Sequence, residues 1–167
     1  MPDPADPIDS PAARTGWDSL DGFAFDPDRI LDFIASAPTC VFIRLRADGH
    51  PIGTVVGHRV IDGQIYTSTN VNRAAYKAIL RDPRCCAVFD SAGQGMVSVI
   101  GRAEIVDDPE FIRRSYRGRG ERHYLVTSGR MTAEEYERNA CTPNRRLIHI
   151  IPEKFISHDL SKLRLRA

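Results

Sequence analysis

The sequence predicts a mainly β fold of the α+β class, in which six antiparallel strands form a barrel or a strongly curled sheet with short peripheral helices. Three observations indicate this fold. From Cys40 onward, apolar and polar residues alternate with a period of two over several short segments. Asp48-Gly49 and Asp62-Gly63 are typical of tight hairpin turns. Prolines and capping residues separate the strands from segments of helical character.

The first half of the chain is predicted to contain one helix and three strands. Asp26-Pro27 puts a capping residue before proline at the first helical position, and this helix should end before Pro38. The strands that follow, joined by the two Asp-Gly turns into a meander, are predicted over residues 40–46, 51–61 and 64–69.

The second half is predicted to contain three helices and three strands. The helix over residues 73–81 has Asn70 or Asn72 as its cap, and Thr132 with Glu135 forms a capping box for the last helix. Gly101 marks a bend or bulge in a long strand. The remaining predicted bounds are 85–90, 96–106 and 146–151 for strands, with Pro152 closing the last, and 107–116 and 132–139 for helices.

A single domain accounts for most of the chain. Its 167 residues, 42% hydrophobic and 27% charged, suffice for one ordinary domain with a core. Residues 1–16 hold four prolines and no large apolar residue except Met1 and Ile8. We therefore expect a disordered tail over residues 1–16 and one domain over residues 17–167.

Charge and hydropathy argue against several classes of function. The net charge is +1, so no global field attracts nucleic acid or an anionic membrane, and any anion site must be local. No segment approaches the roughly 18 apolar residues of a membrane span, and no signal peptide is recognisable, so we expect a cytoplasmic protein. The four cysteines and five histidines lack metal-ligand spacing, so reduced thiols and no metal site are expected.

An arginine-rich stretch lies between Arg113 and Arg122 and includes Arg117-Gly-Arg-Gly120. The run is short and unrepeated, which favours a solvated surface. Contact with an acidic ligand is the second interpretation, and RNA binding is a weaker third one.

A phosphate site is the most informative local prediction. A strand end rich in hydroxyl groups, with Thr67 and Thr69, leads into a helix that carries Arg73 and Lys77 four residues apart. A helix N-terminus offers free N–H groups and partial positive charge, and the basic and hydroxyl side chains complete a phosphate cradle. The alternative interpretation is an exposed, solvated helix face.

A series of short motifs runs through the domain, over roughly residues 28–162. The motifs are Ala47-Asp-Gly-His-Pro51, Thr54-Val-Val56, Asp62-Gly63, Tyr66-Thr-Ser-Thr69, Arg73, Leu80-Arg-Asp-Pro-Arg84, Gly101-Arg-Ala-Glu-Ile-Val-Asp-Asp108 and Ile151-Pro-Glu-Lys-Phe-Ile-Ser-His-Asp159. In this order they resemble the pyridoxamine 5'-phosphate oxidase-like split-barrel family. The resemblance implies a six-stranded antiparallel split β-barrel and a homodimer with two cofactor sites at the subunit interface.

The resemblance also implies a function. Members of this kind hold FMN or the deazaflavin coenzyme F-420 and transfer hydride to or from a small organic substrate, and the sequence identifies no catalytic side chain. The implied ring-binding residues are Gly53, Thr54, Val55 and Val56. The implied phosphate-binding residues are Thr67, Ser68, Thr69, Asn70, Arg73 and Lys77.

Two departures from the family pattern leave alternatives open. Many relatives carry a lysine two residues after the arginine, where this chain has Ala75, so FMN and F-420 both stay possible. The arginine-rich substrate motif of the vitamin B6 oxidases is not reproduced by Arg145–Ile151, so that activity is not expected. The alternative function is a non-enzymatic flavin- or heme-binding split barrel, since a single axial histidine leaves no spacing pattern.

Overall fold

One antiparallel β-sheet dominates the chain, as the sequence predicts. The computed structural model describes residues 22–119, 121 and 123–162, so the predicted tail over residues 1–16 lies outside the described residues. The strands are β1 (Cys40–Leu45), β2 (Pro51–Val56), β3 (His58–Ile61), β4 (Gln64–Asn70), β5 (Arg84–Ser91), β6 (Gly95–Val106) and β7 (Arg145–Asp159). The helices are α1 (Ile30–Ser36), α2 (Ala74–Arg81), α3 (Pro109–Tyr116), α4 (Tyr124–Thr127) and α5 (Ala133–Ala140), with 3-10 turns at Pro27–Arg29 and Leu160–Lys162.

The strand predicted over residues 51–61 is two strands, and this difference shapes the whole sheet. The strand order is β2-β1-β5-β6-β7-β4-β3, so β2 and β3 lie at opposite edges although only Gly57 separates them in the chain. A one-residue link between the two edges requires the sheet to curl until they meet. The described sheet therefore has seven strands instead of six, and the predicted three-strand meander is wrong, because β2 pairs with β1 whereas β3 pairs with β4.

The last strand continues beyond Pro152, which the sequence predicts to close it. The register between β6 and β7 shifts between Ile100 and Gly101, so that Ile100 lies opposite Lys154 and Gly101 opposite Pro152. Proline has no N–H to donate, and a bulge is a position where the ladder is already interrupted. The irregularity predicted at Gly101 is thus confirmed, and it also explains why Pro152 does not end β7.

The main core fills the barrel, and α1 covers part of it. Its largest fully buried side chains include Phe42, Phe89, Ile65, Ile148, Ile150, Val97 and Val99. His58 on β3 connects α1 to this core, because its Nε2 lies 2.6 Å from the carbonyl oxygen of Ile34 and its ring meets Phe89 edge to face at 4.7 Å. Burial lowers the pKa of His58, which favours the neutral imidazole.

A smaller core lies between the outer face of the sheet and helices α3 and α5, and it contains Ile112, Tyr116, Ala140 and Leu147. Arg59 on β3 joins the two layers. Its guanidinium carbon lies 4.2 Å from the centroid of the Tyr116 ring, and its Nη1 donates to the Ser115 hydroxyl at 2.8 Å. The predicted capping box of α5 is confirmed, and Asp108 caps α3 by accepting from two backbone N–H groups.

The bulge generates a stability prediction. A methyl group at Gly101 would overlap the carbonyl oxygen of Ile151, which is backbone and cannot move without disturbing β7. We expect Gly101→Ala to lower the free energy of unfolding by about 1–3 kcal/mol, as measured by urea denaturation. Gly57→Ala is the control, because a methyl group there meets nothing within 4 Å. Equal loss in the two variants would contradict the assigned role of the bulge.

Candidate functional site

A cleft of about 290 Å³ opens beside the split of the barrel, between the inner faces of β1 and β2 and strand β4, with the beginning of α2 at its rim. We call it the split cleft. The residues that line it are Phe42, Arg44, Thr54, Val56, Thr67, Ser68, Thr69, Arg73, Ala74, Ala75 and Ile148. Six of the ten residues predicted to bind a cofactor are in this set, namely Thr54, Val56, Thr67, Ser68, Thr69 and Arg73.

Two of the predicted ring-binding residues, Gly53 and Val55, do not line the cleft. Thr54 lies opposite Phe42, which faces the barrel interior, whereas Val55 lies opposite the exposed Val41. Because side chains alternate along a strand, Thr54 and Val56 face the cleft while Gly53 and Val55 face outward. Four consecutive strand residues cannot all present their side chains to one ligand.

Only one of the two predicted cations at α2 lines the cleft. Arg73 precedes the helix with an extended backbone, φ −87° and ψ 150°, and lines the split cleft. Lys77 is exposed, as Arg73 is, but it does not line the cleft. Arg73 occupies the cap position predicted for Asn70 or Asn72, and its side chain makes no capping bond. The first N–H groups of α2 thus have no capping side chain.

The most prominent cation of the cleft, Arg44, was missed by sequence reasoning. It lies on the inner face of β1, in alternation with the buried Cys40 and Phe42, and is only 8% exposed. Its Nη1 donates to the Thr54 hydroxyl at 3.1 Å, and no carboxylate among the described residues pairs with it. Burial lowers the pKa of Arg44, yet guanidinium groups stay charged in proteins. An arginine at an inward position of a strand is the signal that could have identified it.

The hydroxyl groups of Thr67 and Thr69 differ in their bonding, although both side chains are 1% exposed. The Thr67 hydroxyl donates to the carbonyl oxygen of Gly57 at 2.9 Å and so holds the β2–β3 corner. The Thr69 hydroxyl is buried without a hydrogen-bond partner, as is Oδ1 of the adjacent Asn70. Buried polar atoms normally have partners, so Thr69 offers a bond that a ligand in the cleft can complete.

A second opening of about 270 Å³ continues the split cleft past Arg44 and Ala74, which line both. We call it the arginine groove, because Arg46 and Arg81 also line it. Arg46 pairs with Asp48 at 3.1 Å, whereas Arg81 donates to the carbonyl oxygen of Leu45 at 2.8 Å. The two openings together form a positively charged path along β1 and α2.

Other residues that the sequence analysis names lie outside this path. Tyr66 stacks on His149 with ring centroids 4.9 Å apart on the outer face of the sheet. Burial raises the pKa of Cys40 and Cys85 to about 12, which makes both thiols unreactive. Arg113, Arg114 and Arg117 are exposed on and after α3. In the described part of the chain, no three metal-ligating side chains converge, and no helix is long and apolar enough to cross a membrane.

A curled antiparallel sheet split between two consecutive strands, with a cationic cleft at the split, defines a split-barrel protein. The family model for pyridoxamine 5'-phosphate oxidase matches residues 26–159, a range that contains every strand described above. The chain belongs to this family, as the sequence motifs indicate.

Solved structures with the same fold include the conserved hypothetical protein Rv2991 from Mycobacterium tuberculosis, with 26% identity and a TM-score of 0.71 over 87% of this chain and 92% of that one. General Stress Protein 26 from Bacillus anthracis str. Sterne is 19% identical, with a TM-score of 0.59 over 78% and 92% of the two chains. A structure named F420 Reductase is 16% identical, with a TM-score of 0.52 over 75% and 94%. No curated protein matches this chain.

The two threonines give a matched pair of variants for stability. Thr67→Val removes the donor to the Gly57 carbonyl, and we expect it to lower the free energy of unfolding by about 0.5–1.5 kcal/mol. Thr69→Val removes a hydroxyl that has no partner and should be neutral or slightly stabilising. Thermal and urea unfolding of the cofactor-free protein measure both. A larger loss for Thr69→Val than for Thr67→Val would contradict the assigned bonding.

Proposed function

We propose that the protein is an oxidoreductase that binds FMN or coenzyme F-420 in the split cleft and transfers hydride between this cofactor and a small organic substrate. Its family is one of flavin-related oxidoreductases. One observation carries the proposal: two buried groups with unused bonding capacity line the same cleft. Arg44 has no carboxylate partner among the described residues, and the Thr69 hydroxyl has no hydrogen-bond partner.

The residues of the cleft fit a phosphorylated cofactor. Arg44 and Arg73 would neutralise the phosphate, and the Thr69 hydroxyl would donate to one of its oxygens. The uncapped start of α2 adds N–H groups and partial positive charge. A phosphate would thereby satisfy three features of the cleft that the protein alone leaves incomplete.

The apolar part of the lining suits the cofactor's ring system. Phe42, Val56 and Ile148 line the cleft beside the polar residues and would exclude water from the ring. A bound flavin or deazaflavin supplies the hydride chemistry itself, while the protein supplies orientation, electrostatics and a dry pocket. No side chain of this chain is therefore assigned a catalytic proton transfer.

A homodimer is the second part of the proposal, and the outer face of the sheet supports it. The residues Val55, Val41, Val88, Ser98 and Ile156 lie in register across β2, β1, β5, β6 and β7. Val55 is 67% exposed and Ile156 48% exposed, and the next row includes Ile43 and Ile100. A contiguous apolar sheet face of this kind is typical of an interface. Because β2 also borders the split cleft, the dimer would bring a second subunit to the cofactor.

The arginine groove bears on the choice of cofactor. FMN ends at its phosphate, whereas F-420 continues from a phosphodiester into an acidic oligoglutamyl tail. A tail that leaves the phosphate site past Arg44 would enter the groove beside Arg81, which has no carboxylate partner in the described part of the chain. The groove thus favours F-420 over FMN if both fit the cleft.

The affinity of the cofactor-free protein for FMN and for F-420 is measured by fluorescence titration. Arg73→Ala should weaken binding by about tenfold or more, because a charge-assisted bond contributes on the order of 1.5–3 kcal/mol. Lys77→Ala is the matched control, since it removes an exposed positive charge four residues away that does not line the cleft. Arg81→Gln should weaken F-420 more than FMN.

Three results would count against the proposal. Equal weakening by Arg73→Ala and Lys77→Ala would show that general charge, and not the cleft, governs binding. Unchanged affinity in Arg73→Ala would remove the phosphate site. A bound cofactor that accepts hydride but is never reoxidised by any member of a broad substrate panel would favour the non-enzymatic carrier.

Sedimentation velocity of two variants tests the proposed dimer. Val55→Asp places a charge at the β2 end of the apolar row, on its most exposed side chain, and should shift the protein toward the monomer. Leu80→Asp is the matched control, because Leu80 is 63% exposed on α2, away from that row, and it should leave the dimer intact. A wild-type protein that sediments as a monomer at micromolar concentration would overturn the proposed dimer.

A further inference from the structure

A third cavity, of about 440 Å³, shares no lining residue with the split cleft or the arginine groove. It lies between α1 with the 3-10 turn before it, the turn that joins β5 to β6, and the end of β7. Asp159 ends β7, whereas Ile148, which lines the split cleft, lies near the beginning of that strand. Its lining includes Phe25, Arg29, Asp32, Phe33 and Asp159.

Asp159 is a buried carboxylate with one oxygen left over. The residue is 2% exposed, and its Oδ1 accepts bonds from the backbone N–H and the hydroxyl of Ser161. These bonds keep the pKa of Asp159 below its usual range, so the group is ionised at neutral pH. Its Oδ2 is buried and has no hydrogen-bond partner. An ionised oxygen without a donor is costly to bury, so this position calls for a cation.

Arg29 is the cation that lies near Asp159 Oδ2, but its interaction with that oxygen is weak. Its Nη1 is 3.8 Å from Asp159 Oδ2, too far for a hydrogen bond, and its guanidinium carbon is 6.0 Å from the centroid of the Phe25 ring. The Arg29 side chain is 60% exposed. A surface arginine with this much exposure gains little from its ion pair and can be displaced at small cost.

The remaining walls define the kind of ligand. Phe25 and Phe33 pack with ring centroids 4.6 Å apart; they are 5% and 6% exposed, and contribute a small apolar area to the wall beside the carboxylate. Asp32 adds a second negative charge to the rim. In the described part of the chain, no three metal-ligating side chains meet, which argues against a metal ion. The cavity therefore combines a carboxylate that lacks a donor with aromatic faces that attract cations.

We propose that this cavity binds a small organic cation, an ammonium or amidinium group on an apolar body, which displaces Arg29 and donates hydrogen bonds to Asp159 Oδ2. The apolar body packs on Phe25 and Phe33. Binding is reversible and involves no covalent step. The site is independent of the cofactor cleft and of the function proposed for it.

The test is a calorimetric titration of the full chain with 2-phenylethylamine, and with 2-phenylethanol and phenylacetate as neutral and anionic probes of the same shape. The amine should bind at least tenfold more tightly than either comparison compound, since a hydrogen bond to a charged group contributes on this scale. Asp159→Asn should abolish that preference. Arg29→Gln should strengthen amine binding severalfold, because it removes the internal competitor.

Arg46→Gln is the matched control for Arg29→Gln. Arg46 is 59% exposed and pairs with an aspartate, Asp48, elsewhere on the surface, so the variant makes the same change in net charge. Its amine affinity should equal that of the wild type. Equal effects of the two arginine variants would overturn the proposal, as would equal binding of the amine and the alcohol, or no amine binding at millimolar concentration.

Two further measurements keep the result interpretable. If Asp159→Asn does not fold, as judged by circular dichroism, the comparison of Arg29→Gln with Arg46→Gln decides alone. Cofactor affinity should be unchanged in Arg29→Gln, so failure of the cation site and failure of the proposed oxidoreductase function give separate outcomes. A change in cofactor affinity in Arg29→Gln would contradict the independence of the two sites.

Discussion

The one-residue connection at Gly57 is the constraint on which the rest of the structure depends. It joins β2 and β3, the two edge strands of a seven-stranded sheet, and so allows only a sheet that curls until its edges meet. The Thr67 hydroxyl fixes the corner by donating to the Gly57 carbonyl. Because the edges meet without pairing to each other, a cleft is left at the split, lined by the inward side chains of β2 and β4.

The same closure explains why polar groups collect in one place. Inside the barrel, apolar side chains fill the core and no water is available to a buried donor. At the split, Arg44 and Thr69 are buried on strands that face each other across the cleft, and their hydrogen-bonding capacity is only partly used within the protein. The anionic cofactor proposed for the cleft would use this remaining capacity.

Helices cover one region of the outer face of the sheet and leave another region exposed. Helices α3 and α5 cover the face of β3, β4 and β7, and Arg59 pins them there by its contact with Tyr116 and its bond to Ser115. The face formed by β2, β1, β5 and β6 with the end of β7 is covered by no helix of the described residues, and it carries exposed valine and isoleucine side chains. Covering these side chains buries apolar surface, which is the driving force for the proposed dimer.

The sequence by itself determined most local structure, because turns, caps and alternation act over a few residues: the Asp-Gly turns, the capping box of Thr132 and Glu135, and the irregularity at Gly101 all occur where predicted. Six predicted binding residues also meet in one cleft. Only the tertiary structure decided that the strand through Gly57 is divided, that Pro152 lies inside β7, and that Arg44 faces Thr54. These features depend on which strands pair and where a register shifts, and pairing between distant segments leaves no periodic signal in the sequence.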